Sequence, residues 1–456
     1  MAYHRGNPTN YRKWQEMGNT GWSWEDVFPY FLKGENNKEI GRVSGEYHAV
    51  GGPMTVERFP WQPPFASAIL NAAVESGYGV SEDLVGKKIT GFTVAQTLSV
   101  NGVRQSTAAA YLRPIRDRPN LDIALSAQVT TVILAGKKAT GVRYILNGKK
   151  HDVFAKKEVI LSAGAINSPQ ILLLSGIGPK EHLKEMKIRP VLDLPGVGRN
   201  LHNHISYGVD FLLNQKPTQE FNLDSADLYL YNQTGPMSST GLAQVTGILA
   251  SNYTNSNDPD IQIFFAGFQA ICPTGGRIAD LKVEDNKETV RFTGVNVQAR
   301  SRGVLTLASK DPLVQPVIRS NELSDPQDVS VVVQALRAII KLANTKVMKK
   351  YGLKMIRPNI PQCSNYAANS DDYWSCAIHW DTRPENHQAG TCKMGPSTDP
   401  LAVVDPRLKV YGVKGLRVAD ASIMPQVVAG NPVAAINMIG ERAADFIKQD
   451  WGATTL

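Results

Sequence analysis

Two side chains near the end of the sequence have the chemical properties that a proton-transfer site needs. His387, in the segment HQAGTCKMG, carries an imidazole, which can accept a proton near neutral pH. Asn431, in GNPVAAIN, cannot act as a base, but its amide can donate a hydrogen bond to an oxygen on which negative charge develops. A histidine taken alone is more often structural, and Asn431 before Pro432 is also a plausible helix cap. The surrounding motifs have to decide between these interpretations.

Those motifs extend along most of the chain. The segment from Gly164 to Gly178, GAINSPQILLLSGIG, is similar position for position to the second signature of the glucose-methanol-choline (GMC) flavin oxidoreductases. The chain resembles most closely the insect glucose-dehydrogenase-like branch of that family. Further segments resemble the family in its order and at about its spacing: RGN, GNTGWSWEDVFPYF, NGVRQSTAAAYLRP, PGVGRNL, HQAGTCKMG, VVDPRLKVYGVKGLRVADASIMP and GNPVAAINMIGERAADFI.

The resemblance implies an FAD-dependent oxidoreductase that acts on CH–OH donors, because members of the family oxidise alcohols by passing hydride to flavin N5. His387 stands at the place of the catalytic base, and Asn431 at the second active-site place, which holds His or Asn in the family. The other histidines, His204 among them, gain no such support. Asn203 replaces the aspartate that the family usually has before His204, which leaves an electrostatic role there open.

The resemblance also implies a set of residues that contact FAD. For each of them the alternative is an ordinary strand or turn residue. Glycine and alanine suit such positions because larger side chains block a close approach to the nucleotide. The expected contacts are Val129 at the adenine, Ala163 and Gly164 where the chain passes the nucleotide, Asp420 and Ala421 beside the diphosphate and ribitol, and Asn431 and Pro432 at the flavin ring.

One part of the family pattern does not occur in these residues. In the family the FAD diphosphate lies on a glycine-rich turn that opens a helix of a Rossmann-type unit. The sequence contains no G-x-G-x-x-G, and its first residues, MAYHRGN, resemble an internal segment of the family. We therefore expect a truncated product or an incomplete gene model, with a shortened homologue as the alternative. The alternative function is a noncatalytic paralogue or interaction protein that keeps the fold without FAD.

Composition indicates an ordinary globular protein. At 456 residues the chain exceeds the size of a single hydrophobic core, so two domains are expected. The net charge of +8 comes from scattered Lys and Arg, and it does not predict a nucleic-acid-binding surface. No stretch reaches the ~18 apolar residues of a membrane helix. No spacing typical of metal ligands is present, so no metal site is expected.

Cysteines and sequons bear on the compartment. A disulfide between Cys363 and Cys376 would resemble the secreted insect members, and two unpaired thiols are the alternative. Asn232 and Asn252 begin glycosylation sequons. Together with the resemblance, these features favour an extracellular protein. By analogy with the insect branch, the expected partners are a small-molecule alcohol and a quinone or similar electron acceptor.

Periodicity predicts the elements that must position these residues. Ser23, three residues before an aspartate, indicates a helix start. The continuously apolar run 159–162 predicts a buried parallel strand, followed by a turn and a helix over 169–174. Alternating β-prone runs between about 206 and 318 predict an antiparallel sheet. Helices are expected over 325–344 and 434–448.

The predicted fold class is α/β, α+β overall. It combines a truncated Rossmann-like FAD-binding domain, built from noncontiguous segments, with a substrate domain in which helices back an antiparallel sheet. Residues 1–200 are the N-terminal region, with a substrate-domain insertion at about 46–100. Residues 201–385 form the substrate domain, and 386–456 return to the FAD domain with the candidate His and Asn. The GMC C-terminal region is expected at about 295–443.

Overall fold

The computed structural model describes residues 2–214, 222–268 and 288–453. Most of its helices are short, and two of them reach 18 residues. The helices are α1 (Pro8–Glu16), α2 (Trp24–Gly34), α3 (Pro64–Glu75), α4 (Gly164–Leu174), α5 (Lys180–Glu185), α6 (Leu223–Asn232), α7 (Pro326–Ala343), α8 (Lys346–Lys350), α9 (Asp371–Asp381) and α10 (Val433–Asp450).

The strands form one large sheet and several small ones. Their bounds are β1 (Glu35–Asn37), β2 (Met54–Val56), β3 (Gly91–Val94), β4 (Ser99–Val100), β5 (Val103–Arg104), β6 (Gln128–Ala135), β7 (Lys138–Leu146), β8 (Lys149–Phe154), β9 (Val159–Leu161), β10 (Ile177–Gly178), β11 (Leu192–Asp193), β12 (Ile205–Leu213), β13 (Val245–Leu249), β14 (Ile261–Ala266), β15 (Glu288–Asn296), β16 (Val304–Thr306), β17 (Val317–Arg319), β18 (Lys354–Met355), β19 (Arg383–Pro384) and β20 (Leu416–Val418).

The large sheet is antiparallel throughout and has the order β18-β12-β15-β14-β13-β3, with β19 also paired to β12. Helix α7 packs on β15 and β14, and the apolar side chains between them form a core with aromatic contacts such as Phe211 with Phe292. The prediction of an antiparallel sheet backed by helices is confirmed. Strand β16, from the last of the predicted runs, pairs with β17 instead and lies outside this sheet.

A second core surrounds two parallel strands, β9 and β20. Val159 pairs with Leu416 and Leu161 with Val418, so the two strands end side by side. Helix α4 follows β9 and begins at Gly164, five residues before the predicted helix at 169. The sequence predicted a Gly-rich turn between the strand and the helix. In the structure the helix begins within that turn, at Gly164, which has a φ of +80°. The mixed α/β fold class is confirmed.

Helix ends follow the chemistry of their capping residues. Ser23 caps α2 in a reciprocal capping box with Asp26, as the sequence predicts. The side chain of Asp325 accepts a hydrogen bond from the backbone of Gln327 and starts α7. The helices predicted over 325–344 and 434–448 are therefore confirmed within one or two residues at each end.

Cys363 and Cys376 form a disulfide, which decides between the two interpretations that the sequence left open. The bond joins a short 3₁₀ turn to helix α9 across 13 residues, beside the large sheet. Cys392 is a buried free thiol. The fourth cysteine, Cys272, lies outside the described residues.

Replacing both Cys363 and Cys376 by Ser should lower the free energy of unfolding by about 2–4 kcal/mol, because a cross-link over a loop of this size restricts the unfolded chain. Chemical denaturation of the oxidised protein would measure the change. Reductant should move the wild type to the midpoint of the variant and leave the variant unchanged. Equal midpoints of wild type and variant without reductant would contradict the prediction.

Candidate active site

An irregularity in strand pairing sets the geometry around residue 387. His202 and Ala389 form an antiparallel bridge in which each backbone N–H donates to the carbonyl oxygen of the other residue. Further along, Ile205 pairs with Pro384. Between these two pairs one chain advances three residues and the other five, so the second chain bulges. His387 lies in this bulge, and bulges beside active sites commonly re-aim a side chain.

The bulge brings the imidazole of His387 against that of His204. Their Nδ1 atoms lie 3.0 Å apart, and the rings meet nearly at right angles, at 81°. One of the two nitrogens must therefore donate and the other accept. The backbone N–H of His387 also donates to Oδ1 of Asn203 at 2.8 Å. Asn203 and His204, which directly precede β12, therefore fix the backbone and the imidazole of His387, respectively.

The side chain of Asn431 lies on the other side of the His387 ring. Its Nδ2 is 3.4 Å from Nε2 of His387, and its Oδ1 accepts a hydrogen bond from Nε2 of Gln262 at 3.2 Å. Gln262, on β14, also donates to Oγ1 of Thr246 on β13 at 3.1 Å. The large sheet therefore orients the amide of Asn431 with its NH₂ group toward His387.

The helix that follows Asn431 does not use it as a cap. Pro432 occupies the cap position of α10, and no side chain makes a cap hydrogen bond there. The oxygen of Asn431 is used by Gln262 instead. The cap interpretation of Asn431 is therefore wrong in this structure. Its assignment to the active site stays a prediction.

These contacts select one proton arrangement for the two histidines. If Nδ2–H of Asn431 donates to Nε2 of His387, that nitrogen carries a lone pair and the ring proton of His387 is on Nδ1. Nδ1–H then donates to Nδ1 of His204, whose own proton is on Nε2, a buried nitrogen that has no hydrogen-bond partner among the described residues. In this arrangement each of the two contacts of His387 joins one donor to one acceptor, and Nε2 of His387 is the basic nitrogen.

Burial keeps these imidazoles neutral. It lowers the pKa of His387 to about 4 and holds the pKa of His204 well below its ordinary value. Burial likewise lowers the pKa of His202 to about 3. The Nε2 atom of His202 accepts a hydrogen bond from the backbone N–H of Val427 at 2.8 Å. This bond joins the segment directly before β12 to the segment that leads to Asn431.

The sequence interpretation missed His204, Asn203 and Gln262. His204 was given no support over the other histidines, and the structure places it in direct contact with His387. The replacement of the family's aspartate by Asn203 left its role open, and its side chain proves to hold the backbone of His387. Strand alternation carries a signal for Gln262 alone, which lies on β14, because Asn203 and His204 precede β12.

The residues expected at FAD meet in part at the ends of the parallel strands. The Asp420 carboxylate follows β20, and its Oδ2 accepts hydrogen bonds from the backbone N–H of Gly164 at 2.9 Å and from Oγ of Ser168 at 2.5 Å. Its Oδ1 accepts from the backbone N–H of Ser422 at 2.7 Å. Asp420 therefore joins the start of α4 to the segment after β20.

Beside this junction lies an open hollow of about 350 Å³ with a mostly apolar lining, to which Val129 and Ala163 both contribute. A Cβ atom added to the next residue, Gly164, would meet nothing within 4 Å, so the chain leaves free space there. The hollow runs along β9 to its carboxyl end, the end of parallel strands at which ligands of open α/β sheets bind. The contact of these residues with FAD stays a prediction.

The junction and the candidate catalytic pair are joined by the segment that follows the bulge. The backbone N–H of Gly390 donates to the carbonyl of Ala421 at 3.2 Å. The hydroxyl of Thr391 donates to the carbonyl of Ala165, in the first turn of α4, at 2.6 Å. Val129 and Ala163 line the hollow, whereas Asn431 contacts His387 and is followed by the buried Pro432. The structure thus brings the predicted residues together in two adjoining groups.

Within residues 2–214, 222–268 and 288–453, no group of three His, Cys, Asp or Glu side chains is placed to hold a metal ion. The same part of the chain contains no helix long and apolar enough to cross a membrane.

Family models for GMC oxidoreductases match residues 1–206 and 299–440 of this chain. The chain belongs to the GMC oxidoreductase family. Among similar proteins is the "Glucose dehydrogenase [FAD, quinone]" of Drosophila pseudoobscura pseudoobscura, 45% identical over 99% of this chain and 73% of the relative. The mitochondrial choline dehydrogenase of Mus musculus is 36% identical over 98% of this chain and 73% of the relative. The resemblance to the insect branch is confirmed.

Solved structures agree with this assignment. An FAD-dependent oxidoreductase from Chaetomium thermophilum superposes with a TM-score of 0.86 at 25% identity, covering 100% of this chain and 85% of the other. A formate oxidase gives a TM-score of 0.84 at 24% identity over 98% of this chain and 82% of the other, which shows the shared fold alone. This GMC oxidoreductase is an FAD-dependent enzyme, as its sequence indicated.

Asp420→Ala should lower the free energy of unfolding by about 2–4 kcal/mol, because two buried donors and one partly buried donor lose their acceptor. Ser168→Ala is the matched control: it removes one donor from the same carboxylate and the acceptor of the Ala163 backbone N–H, and it should cost about 1–2 kcal/mol. Thermal and chemical denaturation would measure both variants. An Asp420→Ala protein as stable as the control would show that the carboxylate does not hold the two segments together.

Proposed function

We propose that this GMC oxidoreductase oxidises an alcohol to a carbonyl compound, with Nε2 of His387 accepting the hydroxyl proton while the C–H hydrogen leaves as hydride. FAD supplies the hydride acceptor when it is bound. The observation that carries the proposal is the position of two groups of opposite hydrogen-bonding character. Nε2 of His387, an acceptor in the tautomer described above, lies 3.4 Å from Nδ2 of Asn431, a donor.

His387 suits the role of base because its environment supports the neutral ring with a free Nε2. Burial lowers its pKa, so the ring is unprotonated at neutral pH and ready to accept a proton. His204 is a positioning residue, since its Nδ1 accepts the Nδ1–H of His387 and favours that tautomer. Once His387 is protonated, the same contact remains, and the positive charge forms within reach of the developing negative oxygen.

Asn431 complements the base as a hydrogen-bond donor. Gln262 holds its oxygen, so the NH₂ group is available to the substrate oxygen from which His387 removes the proton. A donor fixed before the reaction stabilises negative charge without reorganisation, which lowers the barrier. The pair therefore divides the work: His387 takes the proton and Asn431 stabilises the oxygen left behind.

The substrate and acceptor are proposed from the relatives. The Drosophila proteins are named glucose dehydrogenases with FAD and quinone, which favours a sugar-like alcohol as donor and a quinone or similar acceptor. The mammalian and bacterial relatives are named choline dehydrogenases, so other alcohols are competing donors. An extracellular location is proposed because the sequon residues Asn232 and Asn252 are both exposed and the disulfide is formed.

In the FAD-loaded enzyme, His387→Ala should slow flavin reduction by the alcohol by about 10²–10⁴-fold, the usual contribution of a positioned base. Because its folded-state pKa is depressed, the wild-type rate should stay constant as pH falls from 8 through 6 and decline only toward pH 4. Stopped-flow bleaching of the flavin would measure both effects. His387→Gln, which keeps a polar group of similar reach, should be as slow as the alanine variant.

A wild-type rate that fell with an apparent pKa near 6.5 would show that the base is not a desolvated histidine. Reduction of His387→Ala at the wild-type rate would move the base role to another group.

Asn431→Ala should lower kcat by about 10²–10³-fold and lower the melting temperature by only a few degrees, because the side chain does not cap α10 but accepts one hydrogen bond from the buried Gln262. Asn431→Asp should lose at least as much activity, since a carboxylate places negative charge where negative charge must grow. Steady-state kinetics and thermal denaturation of the two variants test this. An Asp variant that is stable and fast would remove Asn431 from the active site.

A further inference from the structure

One exposed turn carries an asparagine in a sequence that can be modified. Asn252, Tyr253 and Thr254 lie between β13 and β14 and form the pattern N-x-T, the acceptor sequence of N-linked glycans. The side chain of Asn252 is exposed, and its amide makes no hydrogen bond within the described part of the chain. The nitrogen that would bond to a sugar is therefore not engaged by these residues.

The backbone of this turn is fixed against helix α7. The N–H of Asn252 donates to Oε1 of Gln334 at 2.8 Å, and the hydroxyl of Tyr253 donates to Oγ of Ser330 at 3.0 Å. The amide NH₂ of Gln334 makes no hydrogen bond among residues 2–214, 222–268 and 288–453, so it can still donate. The turn thus holds Asn252 beside an unused donor on α7.

Asn252 lines an open hollow of about 660 Å³. The walls of the hollow come from α7, from Asp371 at the start of α9 and from the adjoining ends of β3 and β13. Tyr78 gives the lining an aromatic ring, while Gln334 and Lys341 give it hydrogen-bond donors. The volume is in the range of cavities that bind small ligands. A mixed apolar and polar lining suits a sugar ring with its amide and hydroxyl groups.

The hollow lies on the opposite face of the large sheet from the candidate active site. Ile261 on β14 lines the hollow, and the next residue, Gln262, contacts Asn431. Because successive side chains of a strand point to opposite faces, the sheet separates the two sites. A group bound in the hollow therefore leaves His387 and Asn431 uncovered.

We propose that Asn252 carries an N-linked glycan and that its first N-acetylglucosamine lies in this hollow, where the acetamide oxygen accepts a hydrogen bond from Gln334. In the reaction, Nδ2 of Asn252 bonds to C1 of an oligosaccharide carried on a polyprenyl diphosphate. The C1–O bond to the diphosphate breaks, and Nδ2 gives up one proton. The proposal rests on the extracellular location proposed above, because this sugar donor meets chains that enter the secretory route.

The second sequon provides a control. Asn232 is the last residue of α6 and is also exposed, but it is not among the residues that line this hollow. A glycan at Asn232 has the same chemistry and lacks the hollow. Asn232→Gln is therefore the matched control for Asn252→Gln.

Occupancy is tested on the FAD-loaded enzyme secreted from insect cells. Peptide N-glycosidase in heavy-oxygen water converts a glycosylated Asn into a labelled Asp, which peptide mass spectrometry locates. Asn252 should be labelled in most molecules. An unlabelled Asn252 would overturn the proposal.

Melting temperatures test whether the first sugar lies in the hollow. An endoglycosidase trims the glycan to one sugar, and this form should melt a few degrees above Asn252→Gln from the same cells. Wild type and Asn252→Gln made without glycans in the bacterial periplasm should melt together. Asn232→Gln from insect cells should melt within about 1 °C of wild type. All these forms should reduce the flavin at the wild-type rate, because the hollow is on the opposite face of the sheet.

Gln334→Glu tests the hydrogen bond to the sugar directly. Glu keeps an oxygen for the N–H of Asn252 but has no NH₂ group. One sugar at Asn252 should therefore raise the melting temperature of Gln334→Glu by about half as much as that of wild type, or less. An equal rise in both proteins, or no rise in wild type, would show that the sugar lies outside the hollow and would overturn its docking.

Failure of the proposed location has a different signature. If the enzyme secreted from insect cells carries the glycan at Asn252 and enzyme isolated from its own tissue carries none, the extracellular location is wrong, whereas the fit of the hollow to the sugar stands. If enzyme from tissue is glycosylated at Asn232 alone, the location stands and the assignment of Asn252 is overturned.

Discussion

The active-site geometry depends on one reciprocal pair of backbone hydrogen bonds, between His202 and Ala389. This bridge sets where the segment after β19 meets the segment that leads into β12. The next pair is Ile205 with Pro384, so three residues on one chain lie opposite five on the other. The longer segment, from Pro384 to Ala389, therefore bulges, and His387 lies in that bulge. Gly390 permits the close approach, since a Cβ atom there would lie 2.5 Å from the carbonyl oxygen of Asn200.

Desolvation gives this geometry its chemical character. An imidazole removed from water resists protonation, so the histidines around the site are neutral, and each nitrogen that makes a hydrogen bond either donates or accepts. The roles then follow from the contacts. The sheet fixes the amide of Asn431 through Gln262, the amide sets the acceptor nitrogen of His387, and that nitrogen leaves Nδ1–H for His204.

The fold connects this site to the residues that are predicted to contact FAD. Asp420 accepts hydrogen bonds from the start of α4 and from the segment after β20, which holds the ends of the parallel strands together. The segment after the bulge reaches both of these pieces through Gly390 and Thr391. The junction and the backbone that carries His387 are therefore joined by direct hydrogen bonds.

The sequence by itself determined the family, the fold class, the FAD dependence and the ends of the helices α7 and α10, because these depend on local motifs, capping chemistry and apolar periodicity. It also named His387 and Asn431, but it left open whether Asn431 caps a helix and whether Cys363 and Cys376 are bonded. Those questions, and the partners His204, Asn203 and Gln262, were decided only by tertiary structure. The physical reason is that hydrogen bonds between residues more than a hundred positions apart depend on strand register and burial, which no local pattern records.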